Sequence, residues 1–485
     1  MTRTAPGANE GPISGCATGW CPWRLIGVVL GLSVLFLGGC ADTHTDPPID
    51  ETERFPGGAT TNTLLLGSNA FIRPVSNLEE DNEAAFYTGN SFFNQAWVEA
   101  PASTTVRDGL GPFFNARACS SCHPRDGRAE PPTEPGQDFL GLLLRLSIPG
   151  EDETGGPKAH PVYGDQFHQN SILDVPAEGT PILEYETISG TFDDGEPYEL
   201  TKPVYRIEDL NYGPLGQEIM LSPRIGPQVI GMGLLDAIPE QRLRELADPN
   251  DDDGDGISGR INMVWDIAEQ TYRPGRFGWK GEATTVRQQV AAAFAGDIGI
   301  STPLIPKDIC GADQPECSDA LSGGEPEIDA RLFEFVVLYT SLVAVPVRRK
   351  WQDPDVLAGK ALFNQIGCGD CHVGKHQTGA HEYAEVSNQT IWPYTDLLLH
   401  DMGEGLSDNR PVYDANGREW KTPPLWGLGL IEKVNRHTRF LHDGRARNLT
   451  EAILWHGGEA DPSQRAFKAL SSVQRQQLIT FVESL

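Results

Sequence analysis

Two short stretches carry residues that could do chemistry, "CSSCH" at Cys119 to His123 and "CGDCH" at Cys368 to His372. In C-x-x-C-H the cysteines are three apart and the histidine follows, so one helical turn gathers two thiols and an imidazole on one face. Such a face can bond the two vinyl groups of a haem through sulfur while the imidazole reaches the iron. A redox dithiol needs no following histidine and is expected near a βαβ pattern, which is not seen here. Zinc would require the two distant pairs to come together. The duplication favours two covalently bound c-type haems, one on Cys119, Cys122 and His123, the other on Cys368, Cys371 and His372.

The elements around the motifs repeat as well. "FFNARACSSCH" from Phe113 matches "LFNQIGCGDCH" from Leu362. "GPQVIGMGLLDAI" from Gly226 matches "TPPLWGLGLIEKV" from Thr422, "WKGEATTVRQQVA" from Trp279 matches "HDGRARNLTEAIL" from His442, and the apolar helical pattern "LFEFVVLYTSLVAV" matches the C-terminal "VQRQQLITFVESL". The chain therefore reads as two versions of one haem-binding unit. The first version is longer between its landmarks. Its excess contains "ILEYETISGTF" and "YELTKPVYRI", whose β-branched alternation predicts an inserted hairpin. It also contains "DPNDDDGDGISGR", where Asp251, Asp253 and Asp255 precede Gly256 in the D-x-D-x-D-G order of calcium loops. The twelfth position is Asn262, which excludes a full EF-hand. Calcium and a solvated acidic turn both stay open.

The 485 residues carry a net charge of -30, which disfavours nucleic acid and suits a cationic partner or simple solubility. The one long apolar run, "LIGVVLGLSVLFLGG", follows Arg24 and is short for a membrane span. It predicts a secretory signal over residues 1–39. It ends in "LGGC", resembling a bacterial lipobox in which Cys40 takes lipid; a plain signal peptide is the alternative. A polar, Pro- and Thr-rich stretch, residues 40–80, reads as a flexible tether. In an oxidising compartment, Cys310 and Cys317 in "CGADQPEC" are expected to form a small-loop disulfide.

Taken together, these motifs resemble the bacterial diheme cytochrome c peroxidase and MauG superfamily, most closely its diheme oxidoreductase branch often labelled thiol oxidoreductase-like. "FLHDGRARNLTEAILWHGGEA" is the most specific part. The resemblance implies a mainly α fold of two tandem cytochrome c-like domains, 81–350 with a β-containing insertion and 351–485. It implies peroxidase-like redox catalysis, with electrons entering at the C-terminal haem and peroxide or another oxidant at the N-terminal haem. Carried over by motif, Trp279 becomes the tryptophan between the haems, Gln289 the distal glutamine, and Asp297 the acid-base carboxyl. Asp297 lies eight residues after Gln289, whereas the family places a glutamate ten residues on.

His456 falls where the family has a sixth iron ligand. The internal repeat says the same, since the offset of 163 that aligns His442 with Trp279 aligns His456 with Ala293. His400 and Met402 are further ligand candidates or structural residues. The expected partners are an electron-donor protein such as a small cytochrome c and a small oxidant such as hydrogen peroxide, with no nucleic acid. The expected location is the periplasm of a Gram-negative-type bacterium, on a membrane through Cys40. The alternatives are MauG-like oxidation of a partner protein or thiol, and a non-catalytic electron-transfer or haem-sensing cytochrome.

Overall fold

The computed structural model describes residues 49–485 apart from 65, 135, 307–309 and 312, so the signal segment and Cys40 lie outside the described residues. Asp50–Leu485 cluster together, and one hydrophobic core runs through both halves. Parts of residues 50–80, grouped by composition with the tether, are packed against the rest of the chain. Glu53 pairs with Arg348 and Lys360, and Ala70 and Phe71 are fully buried.

The first half opens with α1 (Glu80–Asn94), whose first turn carries Glu80, Asp81 and Glu83 against the helix dipole. The motif turn is α2 (Cys119–Cys122). The inserted region follows as β1 (Leu142–Ser147), β2 (Gln166–Phe167), β3 (Thr180–Thr191), β4 (Pro197–Glu208) and β5 (Met220–Ile225). The β3–β4 pair is the hairpin expected from its alternation. β1 is flanked by β2 and β5, both antiparallel. The period of two sends Leu142, Leu144 and Leu146 into a satellite core and turns Leu143 and Arg145 the other way. Next come α3 (Val286–Ala293), capped by the Thr285 hydroxyl accepting from Gln288 N, and α4 (Ala330–Ser341), capped by Asp329.

The second half repeats this with less insertion: α5 (Pro354–Gln365), the motif turn α6 (Cys368–Cys371), short strands β6 (Leu399–Asp401) and β7 (Glu419–Lys421), α7 (Leu449–Leu454) and α8 (Ser472–Ser484). Asn448 caps α7 as Thr285 caps α3, by accepting from the third helical N–H, and the two caps are related by the same offset of 163. α8 starts with a capping box of Ser471 and Gln474.

In each half the opening helix crosses the closing helix at a glycine. A Cβ on Gly89 of α1 would lie 1.9 Å from the Phe335 carbonyl oxygen of α4, and one on Gly359 of α5 would lie 2.0 Å from the Gln477 oxygen of α8. Only hydrogen fits at either crossing. Four residues later, Phe93 and Phe363 point at the two motif histidines, with ring centroids 6.3 Å from His123 and 6.2 Å from His372.

Two sequence expectations change here. The fold is not mainly α: helix accounts for 30% and strand for 18%, in many small sheets. The physical reason is that the first half's insertion pairs as strands, while 53 glycines and 37 prolines keep most helices short. The partner of Leu362-Phe363-Asn364 is also Phe92-Phe93-Asn94 on α1, not Phe113-Phe114-Asn115. Phe113 and Phe114 form a strand paired with Ser171 and Asn170.

Candidate functional site

Both motif turns open onto one cavity, which His456, Trp279, Gln289, Ala293 and Asp297 also line. His123 donates from Nδ1 to the Pro227 carbonyl at 2.6 Å, and His372 from Nδ1 to the Tyr394 carbonyl at 3.0 Å. A carbonyl only accepts, so each neutral ring carries its proton on Nδ1 and presents the Nε2 lone pair. Burial pulls all three imidazoles down, His372 to about 4, which keeps them in the ligating form. His456 is arranged alike, donating from Nδ1 to the Ala452 carbonyl at 2.7 Å from the end of α7.

The four motif cysteines are unpaired. Burial pushes the thiols up, Cys119 and Cys368 to about 12. A redox dithiol needs the opposite shift. Among the described residues the two cysteine pairs do not converge into one metal-sized group, which removes zinc. Unpaired thiols beside lone-pair-bearing imidazoles on one cavity fit haem.

Gln289, Ala293 and Asp297 come from one continuous segment. Gln289 and Ala293 lie on α3, which runs directly into a π-turn, Phe294–Ile298. Such turns change the phase of the side chains that follow, and this one brings Asp297 to the cavity although only eight residues separate it from Gln289. The inserted sheet then holds it. Gln166 of β2 donates from Nε2 to Asp297 Oδ1 at 3.0 Å and to the Gly296 carbonyl at 2.9 Å, and His168 Nε2 donates to that same carbonyl at 2.9 Å. The Asp297 carbonyl accepts from Asn115 N and Ala116 N, just ahead of the first motif. Burial raises the Asp297 carboxyl above the usual range, partly offset by Arg145.

Trp279 is partly buried and donates from Nε1 to the Ile225 carbonyl at 2.8 Å. Its next residue, Lys280, is fully buried and donates from Nζ to Asp408, at 2.8 Å, and to the Arg410 and Asn416 carbonyls. His442 stacks on Trp420 with centroids 3.8 Å apart and planes 9° apart.

His400 is a structural charge rather than a ligand. Its Nε2 faces Asp396 Oδ2 and its Nδ1 faces Glu459 Oε2, both at 2.8 Å, and these contacts raise it well above an ordinary histidine despite burial. No ring nitrogen is left for iron. Met402 lines the cavity, and His437 donates from Nε2 to the Arg128 carbonyl.

Cys310 and Cys317 are joined by a disulfide with Cα atoms 5.7 Å apart. Carboxylate oxygens of Asp251, Asp253 and Asp255 lie within 4.8 Å of one another. That loop is close to the second motif, because burial first and then the charges of Asp255 and Asp253 raise Asp370. Sequence reasoning missed Gln166, His168, Arg128 and Lys421. None lies in a repeated motif that marks it, apart from Lys421 just ahead of "TPPLWG".

A single cavity served by two thiol-and-imidazole turns defines a protein built around two haems. The family comparison agrees: residues 51–485 match the family described as "Di-haem oxidoreductase, putative peroxidase", and the chain belongs to it. No curated protein and no solved structure matched the chain.

Proposed function

We propose that the chain is an exported di-haem peroxidase, lipid-anchored through Cys40 at the periplasmic face of a membrane, that passes electrons from a donor protein such as a small c-type cytochrome to hydrogen peroxide or a similar oxidant. When bound, the haems supply one-electron redox chemistry and an iron site for the oxidant. Cys119, Cys122 and His123 hold one covalently, and Cys368, Cys371 and His372 hold the other. His456 offers a second imidazole on the C-terminal side. Trp279 lies on the route between the sites. Gln289 orients the oxidant, and Asp297 takes up and returns its proton, the role an adjacent carboxyl with a raised pKa can fill. Asp251, Asp253 and Asp255 bind calcium in this reading.

The observation that carries it is an asymmetry between repeat-equivalent positions. His456 and Ala293 both line the cavity, and only one can ligate iron. The first site therefore keeps room for an oxidant beside Asp297, and the second does not. The test has two stages on purified holoprotein. Acid-acetone extraction and a pyridine haemochrome count should find two haems per chain that resist extraction, and peroxide should then be consumed with a reduced small cytochrome c as donor. Extractable colour refutes covalent attachment. Absence of turnover by protein carrying both haems refutes the peroxidase reading.

A further inference from the structure

Six cationic side chains line the cavity: Arg128, Arg145, Arg224, Arg276, Lys421 and the imidazolium of His400. Four are satisfied by the chain itself. Arg145 pairs with Asp165 at 2.9 Å, Arg224 donates to the Ser222 hydroxyl at 2.7 Å, Arg276 donates to the carbonyls of Leu235, Asp236 and Ile238, and His400 sits between two carboxylates.

Arg128 and Lys421 differ. Arg128 is 3% exposed and Lys421 6%, yet neither makes an ion pair among the described residues. Arg128 donates from Nη2 to the Leu441 carbonyl, and its Nε has no partner. The Lys421 ammonium reaches only the carbonyl of the next residue, Thr422, at 3.4 Å. Both are tied to Trp279. The Arg128 guanidinium lies 5.3 Å from the centroid of its ring, and Lys421 N donates to its carbonyl at 3.0 Å. Burial pulls Arg128 to about 10 and Lys421 to about 8. Lys280 shows the alternative, a buried ammonium given three acceptors.

Glu282, Asp297 and Glu459 also line the cavity, but among the described residues none of them pairs with Arg128 or Lys421, and a buried cation left without an ion pair on a cavity wall implies that the cavity's occupant brings the carboxylate. Resting on the di-haem reading, we infer that Arg128 and Lys421 are a carboxylate anchor whose ligands are the propionate groups of the haems, clamping them beside Trp279. The two residues are positioning residues. Their cationic charge also favours the reduced state of a nearby haem, because an added electron is attracted to it.

Resonance Raman of wild-type holoprotein should place propionate bending modes at hydrogen-bonded frequencies. Lys421→Met and Arg128→Met should each shift a propionate mode and lower a haem midpoint potential in a spectroelectrochemical titration, with two haems still counted, whereas Lys421→Arg should retain both wild-type values. Free-propionate frequencies in the wild type overturn the anchor even if the variants do not fold. Unchanged potentials and modes in variants that keep both haems overturn it too, as would wild-type spectra that move on adding acetate or chloride, which would assign the cations to a free anion. A wild-type haem count below two would instead bring down the di-haem reading beneath it.

Discussion

Trp279 meets His442 edge to face, with ring centroids 6.5 Å apart and planes at 76°. The two residues are equivalents in the internal repeat, the first of "WKGEA" and the first of "HDGRA". The local frames match as well, since the bridge between Phe277 and Ala283 recurs between Phe440 and Ala446. The repeat thus brings its own corresponding residues into contact on the wall of the cavity, one as an indole and one as a neutral imidazole held down to about 3 by burial.

Replacing Trp279 by Phe removes the 2.8 Å bond to Ile225 and keeps most of the ring. The expected stability loss is about 1 kcal/mol. Electron transfer between the haems should slow while both haem spectra stay near wild type. Stopped-flow reduction followed at two wavelengths measures this, and unchanged inter-haem kinetics in the folded variant would remove Trp279 from the route.

His456→Ala should convert the low-spin signal of the C-terminal site to high-spin in electron paramagnetic resonance, since it takes away the imidazole that lines the cavity just after the end of α7. A retained low-spin signal would point to Met402. His400 is not the fallback, because both its nitrogens are engaged.

Asp297→Asn should leave both spectra close to wild type and lower peroxide turnover by roughly 10²- to 10⁴-fold. The pH dependence has a defined sign. With a folded pKa above the unfolded value of about 3.9, Asp297 binds more protons folded than unfolded between those two values, so its contribution to stability falls as pH rises through that window. Turnover that needs the carboxylate as base rises over the same window. The Asn variant should lose that acid limb of the rate profile and melt no lower than wild type at neutral pH.

Substituting His400 by Leu leaves Asp396 and Glu459 facing each other without their cation. Breaking a buried pair of this kind costs about 3–5 kcal/mol. A fall in melting temperature with the haem spin states preserved is expected, and a spin-state change would restore His400 as a ligand candidate.

Gly89→Ala and Gly359→Ala should each destabilise by at least about 1–3 kcal/mol in denaturant titration, because the new methyl meets a backbone carbonyl that cannot rotate away. A neutral result at either position would mean that the helix crossing is loose.

What the sequence determined alone is what a single turn of chain can determine. C-x-x-C-H places two thiols and an imidazole together through helical spacing, Thr285 and Asn448 cap their helices through their own side chains, and the β3–β4 hairpin follows from alternation within one stretch. The repeat extended this reach, since Ala293 and His456 could be compared without knowing where either lies. The tertiary structure decided everything that depends on residues far apart in the chain. Phe93, not Phe114, packs at the first motif because α1 crosses α4 at Gly89, and an insertion of strand and loop separates α1 from the motif. His400 became a structural charge only when Glu459 arrived from another segment. Arg128 and Lys421 are unremarkable as sequence, and their lack of counter-ions is a property of the enclosed space around Trp279. Helix content was overestimated partly for the same reason: outside the β3–β4 hairpin, pairs such as β1 with β5 join segments distant in the chain, which local periodicity does not encode.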